Sequence, residues 1–287
     1  MGAIYRKELR GFFNNMTGYI FIAFILLVTG IFTTAVNFKQ GYPYFEYSLS
    51  SVSFIFLLAI PILTMRVFAE ERHSRTDQLL YTLPVTIPQV VFGKYLAMLT
   101  VFLIPVGVMC LYPLILLMYG STGLLAAYGA IFGFACLGAT LIAIGMFMSS
   151  LTESQVIAAV ISFGALLLAY LMSGLASMVP TVASASYIAF AVVILAFALI
   201  LYLMTKNYWI AFIAAAIGEV ILSVVYFTNN ALFSGAFAKM LNWLSFFDRL
   251  NNFIYGIFDL TAVVYYLTVI AVFLFFTVQS VEKRRWS

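Results

Sequence analysis

The chain has 287 residues, 65% apolar, 17% aromatic and only 8% charged, with a formal net charge of +4 and a mean hydropathy of +1.11. Soluble domains carry about 25% charged residues, so 14 basic and 10 acidic side chains cannot furnish a water-facing surface. A soluble enzyme, a disordered tail and a nucleic-acid binder are excluded, and an all-α polytopic membrane protein is expected.

Residues 1–15 predict an amphipathic interfacial helix. Ile4, Tyr5, Leu9, Phe12 and Phe13 fall on one half of it, and Arg6, Lys7 and Arg10 on the other; Glu8 intrudes on the apolar half. Such a helix lies at a membrane surface with its cations toward anionic headgroups. Apolar runs of bilayer length follow at 17–37, 50–68, 90–119, 124–149, 154–178, 184–205, 208–227 and 262–280. The pair 184–205 and 208–227 is joined only by Lys206-Asn207, with Tyr208 and Trp209 as interface anchors. Eight spans with a tight turn there is the expectation; a re-entrant pair would leave six and the same orientation. With the N-terminus cytoplasmic, inner segments hold 11 of the 14 basic residues and outer segments hold Lys39, Lys239 and Arg249. Both termini are therefore expected on the cytoplasmic side of a cell membrane.

The inner loop 69–94 is the most polar stretch, with Glu70, Glu71, Arg72, His73, Ser74, Arg75, Thr76 and Asp77. Ser74-x-x-Asp77 resembles a capping box and would start a short helix that Pro84 stops. Leu79, Leu80 and Leu83 then share one side of it, which a solvated loop does not need and a protein contact does; Pro88 suits the first turn of the next span. Arg66, at the inner end of the second span, is expected to snorkel to headgroups. The outer loop Lys39 to Ser48 carries Tyr42, Tyr44, Phe45 and Tyr47, as an interfacial belt would.

Pro61, Pro105 and Pro113 predict kinks in spans two and three. The fourth span is rich in small residues, Gly129-x-x-x-Gly133 with Ala135, Ala139 and Ala143, so close helix approach follows, within the chain or between two copies. Glu219 is the carboxylate lying well inside a span, and three readings stay open: a coupling-ion site, a substrate cavity, or a hydrogen bond to a neighbouring helix. The outer segment 228–261 places Phe237, Met240, Leu241 and Leu244 at i, i+3, i+4 and i+7, opposite Lys239 and Asn242, as a surface-lying helix does. Residues 281–287 form a basic cytoplasmic tail.

No catalytic constellation and no metal site is expected. His73 is the single histidine, Cys110 and Cys136 sit inside apolar runs, and no P-loop motif occurs. The first apolar run lacks a small-residue cleavage site and reads as a retained helix.

The stretch Met65-Arg66-x-Phe68-Ala69-Glu70-Glu71-Arg72-x-x-x-Thr76-Asp77-x-Leu79-Leu80-x-x-Leu83-Pro84-Val85, followed by Gly93-Lys94, resembles the loop after the second span of ABC-2 type transporter permeases. The branch it is most similar to contains the gliding-motility and copper-processing permeases. The tail Asp248-Arg249-x-Asn251-Asn252-Phe253-x-x-Gly256-Ile257-x-Asp259-Leu260 and the later Tyr265-Tyr266 and Glu282-x-Arg284-Arg285-Trp286 resemble it too. The resemblance implies a single transmembrane domain over 1–287 in a bacterial exporter subunit that pairs with a second copy or a paralogue. Two separate ABC ATPase subunits would carry ATP and Mg, and an accessory extracellular subunit is a further possible partner. It implies that residues 75–83 are the coupling helix, that Leu79, Leu80 and Leu83 contact the ATPase, and that Glu70, Glu71, Arg72, Arg75 and Asp77 orient that contact. The rival readings are an ion-coupled secondary transporter using Glu219, and a membrane scaffold without transport.

Overall fold

A computed structural model describes residues 1–76, 86–120 and 123–285. Among them there is no strand. The chain opens with α1 (Gly2–Asn14) and, after Asn15-Met16, continues into α2 (Thr17–Thr33), which ends in a π-helical turn, Thr34–Lys39. Next come α3 (Phe45–His73), α4 (Ile87–Met109), α5 (Tyr112–Leu117), α6 (Leu124–Leu151) and α7 (Gln155–Met178). The remainder is α8 (Ala183–Thr205), α9 (Tyr208–Thr228), α10 (Ala236–Leu244), α11 (Asp248–Ile254) and α12 (Leu260–Arg285). Seven helical stretches among the described residues are long and apolar enough to cross a membrane, which makes this a multi-pass membrane protein. The eighth expected span coincides with α8, whose apolar part is Ala183–Leu199.

Three boundaries differ from the sequence expectation. The second span is not 50–68, because α3 begins at Phe45 and runs to His73. Phe45 is stacked on Tyr112 (centroids 5.5 Å apart) and Leu49 is fully buried, so packing extends the helix into what reads as an aromatic belt. Tyr42, Tyr44 and Tyr47 stay exposed, as a belt requires. The run 90–119 breaks at Cys110-Leu111, and Pro113 sits in the first turn of α5, where a missing N–H costs nothing, instead of kinking a helix. Pro61 and Pro105 do lie inside helices. At the start of α4, Thr86 and Gln89 form a capping box with Pro88 in the first turn.

Contacts divide the chain into two compact units, Met1–Leu168 with Phe246–Ser287, and Ala169–Ser245. In the first, α6 is the central post, contacted by α3, α4, α11 and α12. Phe56, Phe102 and Phe134 are fully buried together, with Phe56 and Phe134 centroids 4.4 Å apart. The small residues of α6 make this possible inside one chain. A Cβ on Gly133 would lie 2.7 Å from the Phe253 ring, and one on Gly145 2.5 Å from the Thr64 hydroxyl, whereas Gly129 faces open space.

The second unit is built on the α8–α9 hairpin. Lys206 takes a left-handed conformation (φ 50°) at the turn, and the Asn207 side chain caps α9 by accepting from the Trp209 N–H at 3.0 Å. Gly218 meets Ile194 across the seam, and the Tyr187 and Ser223 hydroxyls are 3.0 Å apart. As the periodicity predicts, Leu241 on α10 is buried while Lys239 and Asn242 are exposed.

Candidate functional site

The charged residues that sequence reading assigned to a loop gather at one end of the first unit. Arg6, Lys7 and Arg10 are exposed, and Ile4, Tyr5, Leu9, Phe12 and Phe13 are half-buried. The apolar half of α1 is used by the chain itself: Ile4 rests on Gly93, where an added Cβ would come within 3.1 Å of it, and the Tyr5 and Thr100 hydroxyls are 3.0 Å apart. Part of the apolar stripe of α1 is thus covered by α4 of the same chain.

Glu8, the residue that breaks the amphipathic pattern, meets Lys94. The Lys94 side chain is 1% exposed, and its Nζ lies 2.8 Å from Glu71 Oε1, 3.1 Å from Glu8 Oε1 and 3.0 Å from the Val67 carbonyl, with the Phe68 ring centroid at 5.3 Å. Lys7 Nζ stands 3.5 Å from Glu71 and 3.7 Å from Glu8. Two ammonium groups and two carboxylates thus neutralise each other, and Lys94 donates to Glu8 and to the Val67 carbonyl. A buried ammonium without such partners would be costly. A cleft of about 250 Å³ opens beside them, lined by Lys7, Glu8, Phe12, Arg66, Glu71 and Lys94 among others.

The expected coupling residues divide around this site. Glu70 pairs with Arg66 at 3.1 Å, and Arg66 also donates to Thr17 at 3.0 Å. Glu71 belongs to the Lys94 group. Arg72 is buried and donates to the Ser150 carbonyl at the end of α6, which also accepts from Ser280 of α12 at 3.2 Å. Ser149 adds a second tie, donating to the Met65 carbonyl at 3.1 Å and accepting from the Phe68 and Ala69 N–H groups. Arg75 is exposed with φ 55°. The Ser74 hydroxyl donates back to the Glu70 and Glu71 carbonyls at the end of α3. Asp77, Leu79, Leu80 and Leu83 lie outside the described residues.

Glu219 is half-buried on the face of α9 that meets α8, and its Oε1 has no hydrogen-bond partner among the described residues. Sequence reading passed over a second such carboxylate. Glu46, in the first turn of α3, is 3% exposed with Oε2 unpartnered. Nothing in its local sequence, within a run of aromatics and serines, marks it as interior. Lys94 was counted as a loop cation for a comparable reason, since its partners are 86 and 23 positions away. The available signal was Glu8: an acid on the apolar half of a helix requires a cation opposite.

Among the described residues no group of three or more His, Cys, Asp and Glu could hold a metal ion. Compared with protein-family models, curated proteins and solved structures, the chain finds no match to any of them.

Proposed function

We propose that this chain is the membrane-spanning subunit of an ABC-2 type exporter, driven by separate cytoplasmic ATPase subunits through the segment around 75–83. The observation that carries the reading is the attachment of the residues just before that segment. Glu71 is tied to α1 and α4 through Lys94, and Arg72 to α6 and α12 through the Ser150 carbonyl. A displacement applied at 75–83 would be passed to four helices by short polar contacts and not dissipated in a loop. ATP-driven closure of the partner subunits would supply the differential contact free energy that such coupling demands. In this reading the end carrying α1 faces the cytoplasm of a bacterial plasma membrane, and the permease works as a pair with two ATPases.

The test is a pull-down in detergent of the ATPase that accompanies the wild-type chain. Leu79→Asp with Leu83→Asp should release it while insertion is unaffected, because each buried leucine contributes about 1.5–3 kcal/mol and a carboxylate in a groove adds a desolvation cost. Tyr44→Ser, at an exposed position on the other end, is the control. Full retention by the double variant overturns the reading.

The unpartnered oxygen of Glu219 favours a second reading, an ion-coupled carrier. Under the first, Glu219→Gln changes coupled ATPase activity by less than about tenfold, equivalent to 1.4 kcal/mol. Abolished activity in an intact complex would select the second.

A further inference from the structure

We infer that Glu8 is a positioning residue, which competes with Glu71 for Lys94 and so links the seating of α1 to the position of the Arg66–His73 end of α3. The functional use of that link rests on the coupling reading above; the link itself does not.

The argument begins with the count of partners. One ammonium, 1% exposed, receives two carboxylates from two different elements at 2.8 and 3.1 Å, and both oxygens are Oε1 atoms approaching the same nitrogen. Two like charges brought that close repel one another, and each lowers the attraction available to its rival. Either carboxylate alone suffices to keep the ammonium from being buried without a partner, the arrangement that is most costly. The end of α3 can therefore withdraw Glu71 without stranding Lys94, provided Glu8 stays. In that state Glu8 is the one carboxylate on the ammonium, beside the Val67 carbonyl, and α1 is seated more firmly. The reverse also holds, because a coupling free energy is reciprocal: releasing α1 gives Lys94 wholly to Glu71 and fixes the end of α3. Lys7 follows either acid at 3.5–3.7 Å from an exposed position, so it can screen whichever carboxylate is released. The N-terminal helix is then a counterweight to the segment leading into 77–85, not a passive anchor.

Seating of α1 can be read directly. A Cβ placed on Gly93 would lie 3.3 Å from the Ile4 Cβ, close to the separation that a disulfide spans. The Ile4→Cys exchange also removes the γ2 methyl that would otherwise crowd it. The experiment is the oxidation rate of Ile4→Cys/Gly93→Cys in a chain with Cys110→Ser and Cys136→Ser, and with Lys7→Gln to remove the exposed tie to Glu71. The purified membrane subunit is used without ATPase, so its outcome is independent of the pull-down above. Adding Glu71→Gln should accelerate cross-linking about fivefold or more, the lower end of usual coupling factors. Adding Glu8→Gln should slow it by a similar factor. Should Glu8→Gln fail to insert, the Glu71→Gln arm decides alone. A rate left unchanged or lowered by Glu71→Gln overturns the competition and leaves Glu8 a local tether.

Discussion

Replacing Gly133 by alanine should lower stability, while the same change at Gly129, one turn earlier on α6, should not. At Gly133 the new Cβ would fall 2.7 Å from Cδ2 and Cγ of Phe253 and 2.9 Å from its Cβ. Because the Cβ is involved, rotating the ring cannot relieve the overlap, and α11 itself must lift. Phe253 is 1% exposed and its ring is flanked by Phe132 and Phe258, so it has nowhere to retreat. Overpacking of this kind costs about 1–3 kcal/mol. Each exchange also gains about 1 kcal/mol of helix propensity, which cancels when the two variants are compared with each other. At Gly129 nothing lies within 4 Å of the added carbon. The variants should thus differ by about 1–3 kcal/mol, and a domain of this size shifts its midpoint by roughly 2–4 °C per kcal/mol. Thermal unfolding in detergent, followed by the loss of the monodisperse peak, measures the difference. Equal midpoints would refute the assignment of Gly133 to a contact within the chain.

Lys94→Met should cost about 3–5 kcal/mol, since it strands two partly buried acids; the same assay should find Lys94→Met with Glu8→Gln and Glu71→Gln recovered to near the wild-type midpoint. Asp259 caps α12 by accepting from the Thr261 N–H at 2.9 Å and the Ala262 N–H at 3.3 Å, and Asp259→Ala should cost about 0.5–2 kcal/mol. The hydrogen bond from Asn252 first, and those N–H groups next, hold the Asp259 carboxyl below its ordinary 3.8. A lowered folded value means stability that is present above pH 3.8 and is lost as pH falls through the folded value, so acid should erode the wild-type midpoint more than that of Asp259→Asn. In a chain without Cys110 and Cys136, single cysteines at Tyr44 and Asn242 should label from outside intact cells and those at His73 and Ser287 should not; external labelling at His73 would reverse the proposed orientation.

The sequence made the helices and their outward faces legible wherever the deciding interaction is local. Hydropathy located the seven membrane-length helices among the described residues, and periodicity separated Arg6, Lys7 and Arg10 from the half-buried side of α1, and Lys239 and Asn242 from Leu241 on α10. It could not say what lies opposite a face. Gly129 and Gly133 read as one motif, yet only the second is filled, because α11 arrives from 120 positions away. The same limit hid Lys94, whose neighbours in sequence are those of an ordinary membrane-edge lysine. The ends of α3 moved for a related reason: Phe45 is fixed by Tyr112 and Arg72 by Ser150, contacts that override any local signal to stop. Glu8, the Ser149 hydroxyl and the Ser150 carbonyl hold the candidate site together, and only the first left a trace in the pattern.

The seating of α1 on α4 also imposes an order on biogenesis. The groups that receive Tyr5 and Glu8 are Thr100 and Lys94, 95 and 86 positions downstream. At a synthesis rate of about 5–20 residues per second, some 5–20 s pass before they exist. During that interval α1 has its apolar half uncovered and no ammonium for Glu8, while α2 is already entering the bilayer. The newborn helix must be kept on the membrane surface or by the insertion machinery, and it can leave that temporary host only when α4 has emerged. A nascent chain arrested at residue 80 should therefore expose α1 to protease cleavage at Arg6, Lys7 and Arg10, and one arrested well past residue 110 should protect it.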